Sequence, residues 1–152
     1  MVKKIEINRN NTFLKFSWKS KKVYEKMFHP ALDELKLTQN EVDVLLFLSN
    51  NKPLDTAKDI AKYRAISKSL ISKSVDSLIS KDYLCPEVDE IDRRVIHLKI
   101  KSVAIPIVEK LHEIQKNYFA LLLHNIADEE YKVFEIVLNK IYKNITDELK
   151  RR

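Results

Sequence analysis

Apolar residues recur at helical spacing near the start of the chain, over residues 11 to 35. One face of this predicted helix is apolar and comprises Phe13, Phe16, Val23, Tyr24 and Met27. Leu14 and Trp18 fall outside that face, which suggests contact with more than one surface. Pro30 should kink or interrupt the helix, because proline lacks a backbone N–H and crowds the preceding turn.

Capping signals mark the next two helices. Thr38 and Glu41 have the spacing of a capping box, in which each side chain bonds the other residue's backbone N–H, so a helix should begin there. Thr56 followed by Asp59 repeats this signal with a shorter acid and predicts a second, shorter helix. The two helices are therefore expected to be separated by a loop over residues 50–55.

A serine-rich helix is predicted after its expected N-cap, Ser67. Six serines lie between residues 66 and 84, although serine is a mediocre helix former. The apolar stripe of this helix comprises Leu70, Ile71, Val75, Leu78 and Ile79. The opposite face centres on Ser69, Lys73, Asp76 and Ser80, with Ser72 and Ser77 beside it. The serines are therefore mostly on the exposed face, where short side chains would let the backbone come close to a partner.

Two short strands and two long helices complete the pattern. YLCPEV and RRVIHLKI flank the acidic turn DEID, and Arg94, His97 and Lys99 alternate with apolar residues as in a strand. A hairpin directly after a helix-turn-helix predicts a winged helix-turn-helix. Helices are expected at about 102–124 and 127–149, so the predicted fold class is mainly α, with a small β component (α+β).

The charge distribution points to a polyanionic partner. The net charge is +6, and residues 1–26 hold eight Lys or Arg against two Glu. A second basic stretch, residues 56–73, carries five cations against Asp59 alone. The chain contains no glycine, so it lacks a Gly-rich phosphate loop and a dinucleotide fingerprint.

Several other functions lack a sequence signal. One cysteine, Cys85, allows no intramolecular disulfide, and we expect it to be a packed thiol. The four histidines have no close metal spacing beyond a lone Glu109 and His112 pair. No nucleophile motif, membrane span or secretory signal is evident. We therefore expect a cytoplasmic protein that is not an enzyme and has no cofactor, no metal and no membrane association.

The chain resembles the multiple-antibiotic-resistance regulator (MarR) family of bacterial transcription factors. The matching stretches are LTQNEVDVLLFL (37–48), DIAKYRAISKSLISKSVDSLISKDYL (59–84), DEIDRRVIHLKI (89–100) and IADEEYKVFEIVLNKI (126–141). The resemblance implies long dimerisation helices at residues 1–36 and 102–152 around a winged helix-turn-helix at 37–101. It also implies a homodimer on double-stranded DNA, and a small-molecule effector in many members.

The resemblance also implies particular site residues. The DNA-contact face falls on Ser67, Lys68, Ser69, Ser72 and Lys73, and the wing signature falls on Asp89, Asp92, Arg93 and Arg94. Strand alternation favours an outward Arg93 and a partly structural Arg94, salt-bridged to one of the aspartates. Two positions depart from the family pattern. Ile91 stands where a basic residue is common, and Asp82 replaces a glycine, in a left-handed conformation that Asp tolerates.

The expected function is a sequence-specific DNA-binding transcriptional regulator, a repressor that binds a pseudo-palindromic operator as a homodimer. The alternative is a protein-binding adaptor built on a degenerate winged helix, with the basic N-terminal helix as its docking surface. The effector site is not predicted. Trp18, Tyr24 and Phe28 are candidates to line one, but packing in the core or in a dimer is favoured for them.

Overall fold

The computed structural model describes residues 12–151, without the side chain of Phe13, whose predicted place on the apolar face lies outside the described residues. The chain divides between Tyr118 and Phe119 into two compact units. In chain order the elements are α1 (Thr12–Leu35), α2 (Gln39–Asn50), α3 (Ala57–Arg64), α4 (Lys68–Ser80), β1 (Leu84–Val88), β2 (Ile96–Ile100), a 3₁₀ turn (Ser102–Ala104), α5 (Ile105–Leu122) and α6 (Asp128–Lys150). The predicted mainly helical fold with a two-stranded wing is confirmed.

The core of the first unit is built around α2, which is buried continuously from Glu41 to Leu48. Every element of that unit adds side chains to it. The largest fully buried ones are Phe28, Leu45, Ile60, Ile71, Leu78, Leu84 and Leu111. The helices α1, α3 and α4 and the strand β2 all contact α2, which therefore lies at the centre of this unit.

Pro30 does not interrupt α1, so of the two predicted effects, a kink or an interruption, the interruption is wrong. The helix runs without a break from Thr12 to Leu35 with Pro30 inside it. The proline removes one helical hydrogen bond, but its neighbours Phe28 and Ala31 are buried in the core. Burial of a phenylalanine contributes about 1.5–3 kcal/mol, which is comparable to the destabilisation by an internal proline. The tertiary packing of this turn therefore holds α1 together.

Both predicted capping boxes are present. The Thr38 amide donates to Glu41 Oε2 at 2.9 Å, and the Glu41 amide donates to Thr38 Oγ1 at 3.2 Å. In the second box the corresponding distances between Thr56 and Asp59 are 3.2 Å and 3.1 Å. Local hydrogen bonding thus starts α2 and α3 where the sequence indicates.

The wing is an antiparallel hairpin of β1 and β2, with Leu84 opposite Ile100 and Val88 opposite Ile96. The Leu98 amide also donates to the carbonyl of Asp55 at 2.8 Å, which ties β2 to the loop before α3. Cys85 is exposed, so the expectation of a packed thiol is wrong. In β1 only Leu84 is buried, because the rest of this strand lies outside the core, whereas β2 contributes the buried Leu98.

Four helix ends or turns place a residue other than glycine in the left-handed region. The residues and their φ angles are Lys36 (56°), Ala65 (52°), Asp82 (64°) and Asn125 (61°). The left-handed conformation expected of Asp82 is confirmed. Ala65 matters most for the site described below, because it forms the turn between α3 and α4.

The second unit consists of the end of α5 and the whole of α6. Acidic residues occupy the first turn of α6, and no residue of this helix is buried. Its exposed apolar side chains are Tyr131, Val133, Phe134, Ile136, Val137, Leu138, Ile141, Tyr142, Ile145 and Leu149. Among the described residues, no helix is long and apolar enough to cross a membrane.

Candidate nucleic-acid interface

The predicted contact residues form one exposed face at the start of α4. Ser67 is the N-cap, and its hydroxyl accepts from the Leu70 amide at 3.3 Å. All five predicted residues of this face are exposed: Ser67, Lys68, Ser69, Ser72 and Lys73. Neither lysine forms an ion pair with any described residue. This face therefore offers two uncompensated cations among short hydroxyl side chains.

The inner side of α4 holds the helix on the core. Ile71, Val75 and Leu78 are buried, but Leu70, which belongs to the predicted stripe, is 47% exposed. It lies at the edge of the core, one residue before the fully buried Ile71. Ser74 is buried instead, and its hydroxyl donates to the Leu70 carbonyl at 2.9 Å. A buried serine is tolerated there because the preceding helical turn satisfies its hydroxyl.

A buried acid on α2 fixes the far end of α4. Lys81 Nζ donates to the Glu41 carboxylate oxygens at 3.0 Å and 3.2 Å, and to the Lys36 carbonyl at 2.8 Å. Burial tends to raise the pKa of Glu41, but hydrogen bonds from Ser77, the Thr38 amide and Lys81 hold this pKa below its ordinary value. Glu41 is therefore a charged anchor for the C-terminal end of α4.

A second acid on α2 connects three other elements. Asp43 Oδ1 accepts from Tyr24 Oη at 3.2 Å and from Gln39 Nε2 at 3.2 Å, and it lies 3.1 Å from Arg64 Nη2. Burial, and then the negative charge of Asp43, raise the pKa of Tyr24 well above its usual value. Tyr24 therefore remains a neutral donor. The sequence analysis missed this cluster, since its members are far apart in the chain.

Tyr24 also belongs to an aromatic group. Its ring lies 4.5 Å from that of Phe28 and 5.2 Å from that of Tyr118. Phe28 is fully buried in the core, whereas Trp18 is exposed with Lys22 Nζ 4.2 Å from its ring centroid. Trp18 thus does not share a pocket with Tyr24 and Phe28. The role of Tyr24 and Phe28 is packing in the core, as favoured from the sequence.

The wing loop is held by Asp89 and His97. Asp89 accepts from the amides of Ile91 at 3.0 Å and Asp92 at 2.9 Å, and from His97 Nε2 at 2.8 Å. His97 Nδ1 lies 2.6 Å from Asp55, which also pairs with Lys99. A protonated imidazole donates to both carboxylates. No local pattern indicated this role for His97.

The cause of each pKa shift in this cluster is the same set of contacts. Hydrogen bonds from the Asp92 amide, His97 and the Ile91 amide lower the pKa of Asp89 to about 2. Hydrogen bonds to Asp55 and Asp89 raise the pKa of His97 above its ordinary value. His97 thus retains its proton to a higher pH than a free histidine, in a clamp between the wing and the loop before α3.

The side chains of both wing arginines are exposed. Only the Arg94 backbone takes part in the turn, where its amide donates to Asp92 Oδ1 at 3.0 Å. Neither guanidinium forms an ion pair with any described residue, so the salt bridge expected from Arg94 is absent. Backbone amides and His97 occupy Asp89 and Asp92 instead. Ile91 lies at the tip and is 97% exposed.

A cavity of about 570 Å³ lies elsewhere in the first unit, bounded by α2, the loop before α3, β2 and the start of α5. Its apolar wall includes Leu48, Leu98 and Val108. His112, on its polar side, lies 3.1 Å from Ser49 Oγ. No group of three or more potential metal ligands occurs among the described residues.

An exposed hydroxyl and lysine face on the second helix of a helix-turn-helix, beside a hairpin with exposed arginines, is the arrangement of a winged helix-turn-helix, a fold that DNA-binding proteins use to place this helix in the major groove. A sequence profile described as the MarR family matches residues 35–94. The transcriptional regulator AdcR of Streptococcus pyogenes is 28% identical over 138 residues, which span 89% of this chain and 90% of that protein.

Solved structures share the fold. A MarR family regulator from Silicibacter pomeroyi has a TM-score of 0.76 at 18% identity and covers 89% of this chain and 90% of its own. The MepR protein of S. aureus, solved as a DNA complex, has a TM-score of 0.69 at 19% identity over 88% of this chain and 98% of its own. The chain thus matches the MarR family in sequence over residues 35–94 and shares the MarR-like winged helix-turn-helix fold with long N- and C-terminal helices.

Proposed function

We propose that the chain is a repressor that binds a pseudo-palindromic operator as a homodimer, with α4 of each copy in a major groove. The observation that carries this proposal is the exposed face of α4. Its cations have no partner among the described residues, while the opposite face is buried. A recognition helix needs this division, because it must be held firmly on one side and free on the other.

Each part of the surface has a distinct role in the proposal. Ser67, Ser69 and Ser72 are short donors and acceptors that allow the backbone to approach base edges and phosphates. Lys68 and Lys73 contact phosphates or guanine edges. Asp89 and Asp92 hold the wing loop in shape, and Arg93 and Arg94 contact the adjacent minor groove or its phosphates. Ile91 at the wing tip is apolar and does not contribute an electrostatic contact.

The homodimer is supported by α6, whose apolar side chains are exposed along the whole helix in a single copy. A contiguous apolar surface of this kind marks an interaction site in a folded protein. We propose that a second copy covers it, with residues 1–36 and 102–152 as the dimerisation region and 37–101 as the DNA-binding region. Sedimentation of the full chain should then give a dimer, and a monomer at micromolar concentration would contradict this.

A small-molecule effector is also part of the proposal. The cavity beside β2 has an apolar wall and a polar side with His112 and Lys52, which suits a small amphipathic molecule. Because it borders both β2 and the loop that His97 clamps, a molecule bound there would be in direct contact with the wing. An effector that releases DNA should lose its effect when Val108, in the cavity wall, is replaced by Trp.

The test of the proposed function is binding-site selection from genomic DNA followed by salt titration. Lys73→Ala and Ser69→Ala should weaken binding to the selected operator more than binding to random DNA. Arg93→Ala should weaken both and lower the salt slope by about 1. Lys116→Ala, an exposed lysine on α5, is the matched control and should leave the slope unchanged. A folded dimer without salt-sensitive DNA binding would refute the proposal.

An adaptor that docks a protein partner is the second candidate, and the observation in its favour is the exposed Ile91 at the wing tip. The acidic stretch before Arg93 gives it less support. Asp82 pairs with Lys101 and Asp89 pairs with His97, so part of this negative charge is compensated. Ile91→Ser should abolish partner capture if the chain is an adaptor and should leave operator binding intact if it is a repressor.

A further inference from the structure

Arg64 occupies an unusual place for a cation beside a DNA-contact face. It is the last residue of α3, directly before the left-handed Ala65 and three residues before the N-cap of α4. Its side chain is 40% exposed, yet its guanidinium is paired within the first unit, whereas the ammonium groups of Lys68 and Lys73 have no ion-pair partner among the described residues. The guanidinium turns back to Asp43 on α2, with Nη2 at 3.1 Å from Oδ1.

The Asp43 carboxylate to which it turns is nearly buried, with its side chain 9% exposed. The same oxygen accepts from Tyr24 and Gln39, but both of these donors are neutral. Arg64 is therefore the cation that compensates this carboxylate. A buried carboxylate without a cation is strongly destabilised, so Asp43 has a physical reason to keep Arg64 in this orientation.

We propose that Arg64 is a positioning residue for operator recognition. This role of Arg64 rests on the proposed operator binding and adds a residue that supports it. Asp43 holds Arg64, and Arg64 fixes the turn at Ala65 and Ser67 that directs the contact face of α4. Tyr24 on α1 also donates to Asp43, and its ring packs on those of Phe28 and Tyr118. Asp43 therefore contacts both α1 and Arg64. A change at α1 can thus reach α4 through one carboxylate.

This role predicts an effect with a sign opposite to that of simple electrostatics. Asp43→Asn removes a negative charge from a chain of net charge +6, so phosphate attraction alone would tighten DNA binding. The positioning role predicts weaker operator binding instead, because the amide no longer holds the guanidinium and the turn loses its fixed geometry. Side chains along such connections change coupling by amounts equivalent to roughly twofold to thirtyfold in affinity.

The experiment measures operator affinity and its salt slope by fluorescence anisotropy on the full chain. Asp43→Asn and Arg64→Gln should each weaken operator binding by about twofold to thirtyfold with an unchanged salt slope. The double variant should bind no worse than the weaker single variant, since both remove the same connection. Arg64→Lys should recover part of the affinity. Asp33→Asn, an exposed acid on α1, is the control for charge and should not weaken binding.

A second measurement does not depend on DNA. Hydrogen exchange of the Leu70 and Ile71 amides, which bond to Ser67, should become faster in Asp43→Asn while the amides of α2 stay protected. Tyr24→Phe removes one donor without a change of charge and should have a smaller effect of the same kind. Retained circular dichroism separates these effects from loss of folding.

Three outcomes overturn the inference. An Arg64→Gln salt slope lower by about 1 would mean that Arg64 contacts a phosphate itself. Operator binding by Asp43→Asn as tight as that by Asp33→Asn would show that the carboxylate positions nothing. Unchanged hydrogen exchange of the Leu70 and Ile71 amides in Asp43→Asn would also show that the Asp43 carboxylate does not position α4. Absence of operator binding by the unaltered chain would refute the proposed function alone, and the exchange measurement would still decide the role of Arg64.

Discussion

Replacing Glu41 with alanine should lower the free energy of unfolding by about 3 kcal/mol, whereas Asp59→Ala should lower it by about 1 kcal/mol. The two acids are matched, since both are the third residue of a helix and close a capping box with a threonine. They differ in what else they contact. Glu41 also accepts from Lys81 and Ser77 on the α4 side, whereas no ion pair of the described residues involves Asp59.

The magnitude follows from this difference. Loss of a capping interaction costs about 1 kcal/mol, which applies equally to Glu41 and Asp59. A hydrogen bond to a charged group contributes about 1.5–3 kcal/mol, and the Glu41 carboxylate is only 3% exposed, so solvent does not replace it. We take about 2 kcal/mol for the contact with Lys81, because Lys81 is one-third exposed and keeps its bond to the Lys36 carbonyl.

Urea unfolding followed by circular dichroism gives both free energies under the same conditions. Protein concentration must be held constant, because the stability of a chain that self-associates depends on it. Equal destabilisation by Glu41→Ala and Asp59→Ala would refute the reasoning, since the capping box would then account for the whole effect. A Lys81→Met variant provides an independent check. It should reproduce the larger part of the difference while leaving the capping box intact.

Three further predictions concern the wing and the outer face of α4. His97→Gln should destabilise the chain at pH 6 more than at pH 9: the raised pKa of His97 means that its contribution is complete below its ordinary value of 6.5 and is lost as the pH rises through the folded value. Urea unfolding measures the free-energy difference between the unaltered chain and His97→Gln, and an equal difference at pH 6 and pH 9 would contradict the clamp. Asp76→Asn should tighten binding to random DNA in anisotropy titrations, because it removes an exposed negative charge from that face, and weaker binding would argue against it. The exposed Cys85 should react with a thiol reagent in the folded chain nearly as fast as in urea, and strong protection would count against its exposure.

The sequence predicts the helix starts well because their signals are local. Thr38 with Glu41, and Thr56 with Asp59, satisfy each other within three residues, so no other element is needed to recognise them. The order of helices and strands follows for a similar reason, since hydrophobic period and turn composition are properties of short segments. The family resemblance then adds the candidate contact residues.

Hydrophobic periodicity predicts which face of a helix points to the core, but it does not predict how far along the helix the core extends. Leu70 shares the predicted stripe of α4 with Leu78, yet it lies at the edge of the core. Cys85 was expected to be packed on composition alone, but its strand extends past the core. Pro30 shows the converse, because packing on both sides of it maintains a helix that local propensity would end.

The polar clusters around the site could not be predicted, because their members are far apart in the chain. His97 lies 42 residues from Asp55, and Tyr24 lies 19 residues from Asp43. In the sequence alone, each of these residues would be interpreted as an ordinary side chain in contact with solvent. Only the fold brings the carboxylates and their donors together, and their effect on α4 and the wing follows from that geometry.

The left-handed residues at the helix ends have a consequence for the unfolded chain. Each non-glycine residue held there costs about 1–2 kcal/mol in the folded state. A glycine would relieve that strain but would also enlarge the conformational freedom of the unfolded chain, an effect of about 0.4–1 kcal/mol in the opposite direction. At Lys36, Ala65, Asp82 and Asn125 the second effect therefore offsets only part of the first. A chain of 152 residues without glycine thus has an unfolded ensemble of unusually low conformational entropy. Part of its free energy of unfolding therefore comes from the unfolded state and not from contacts in the folded one.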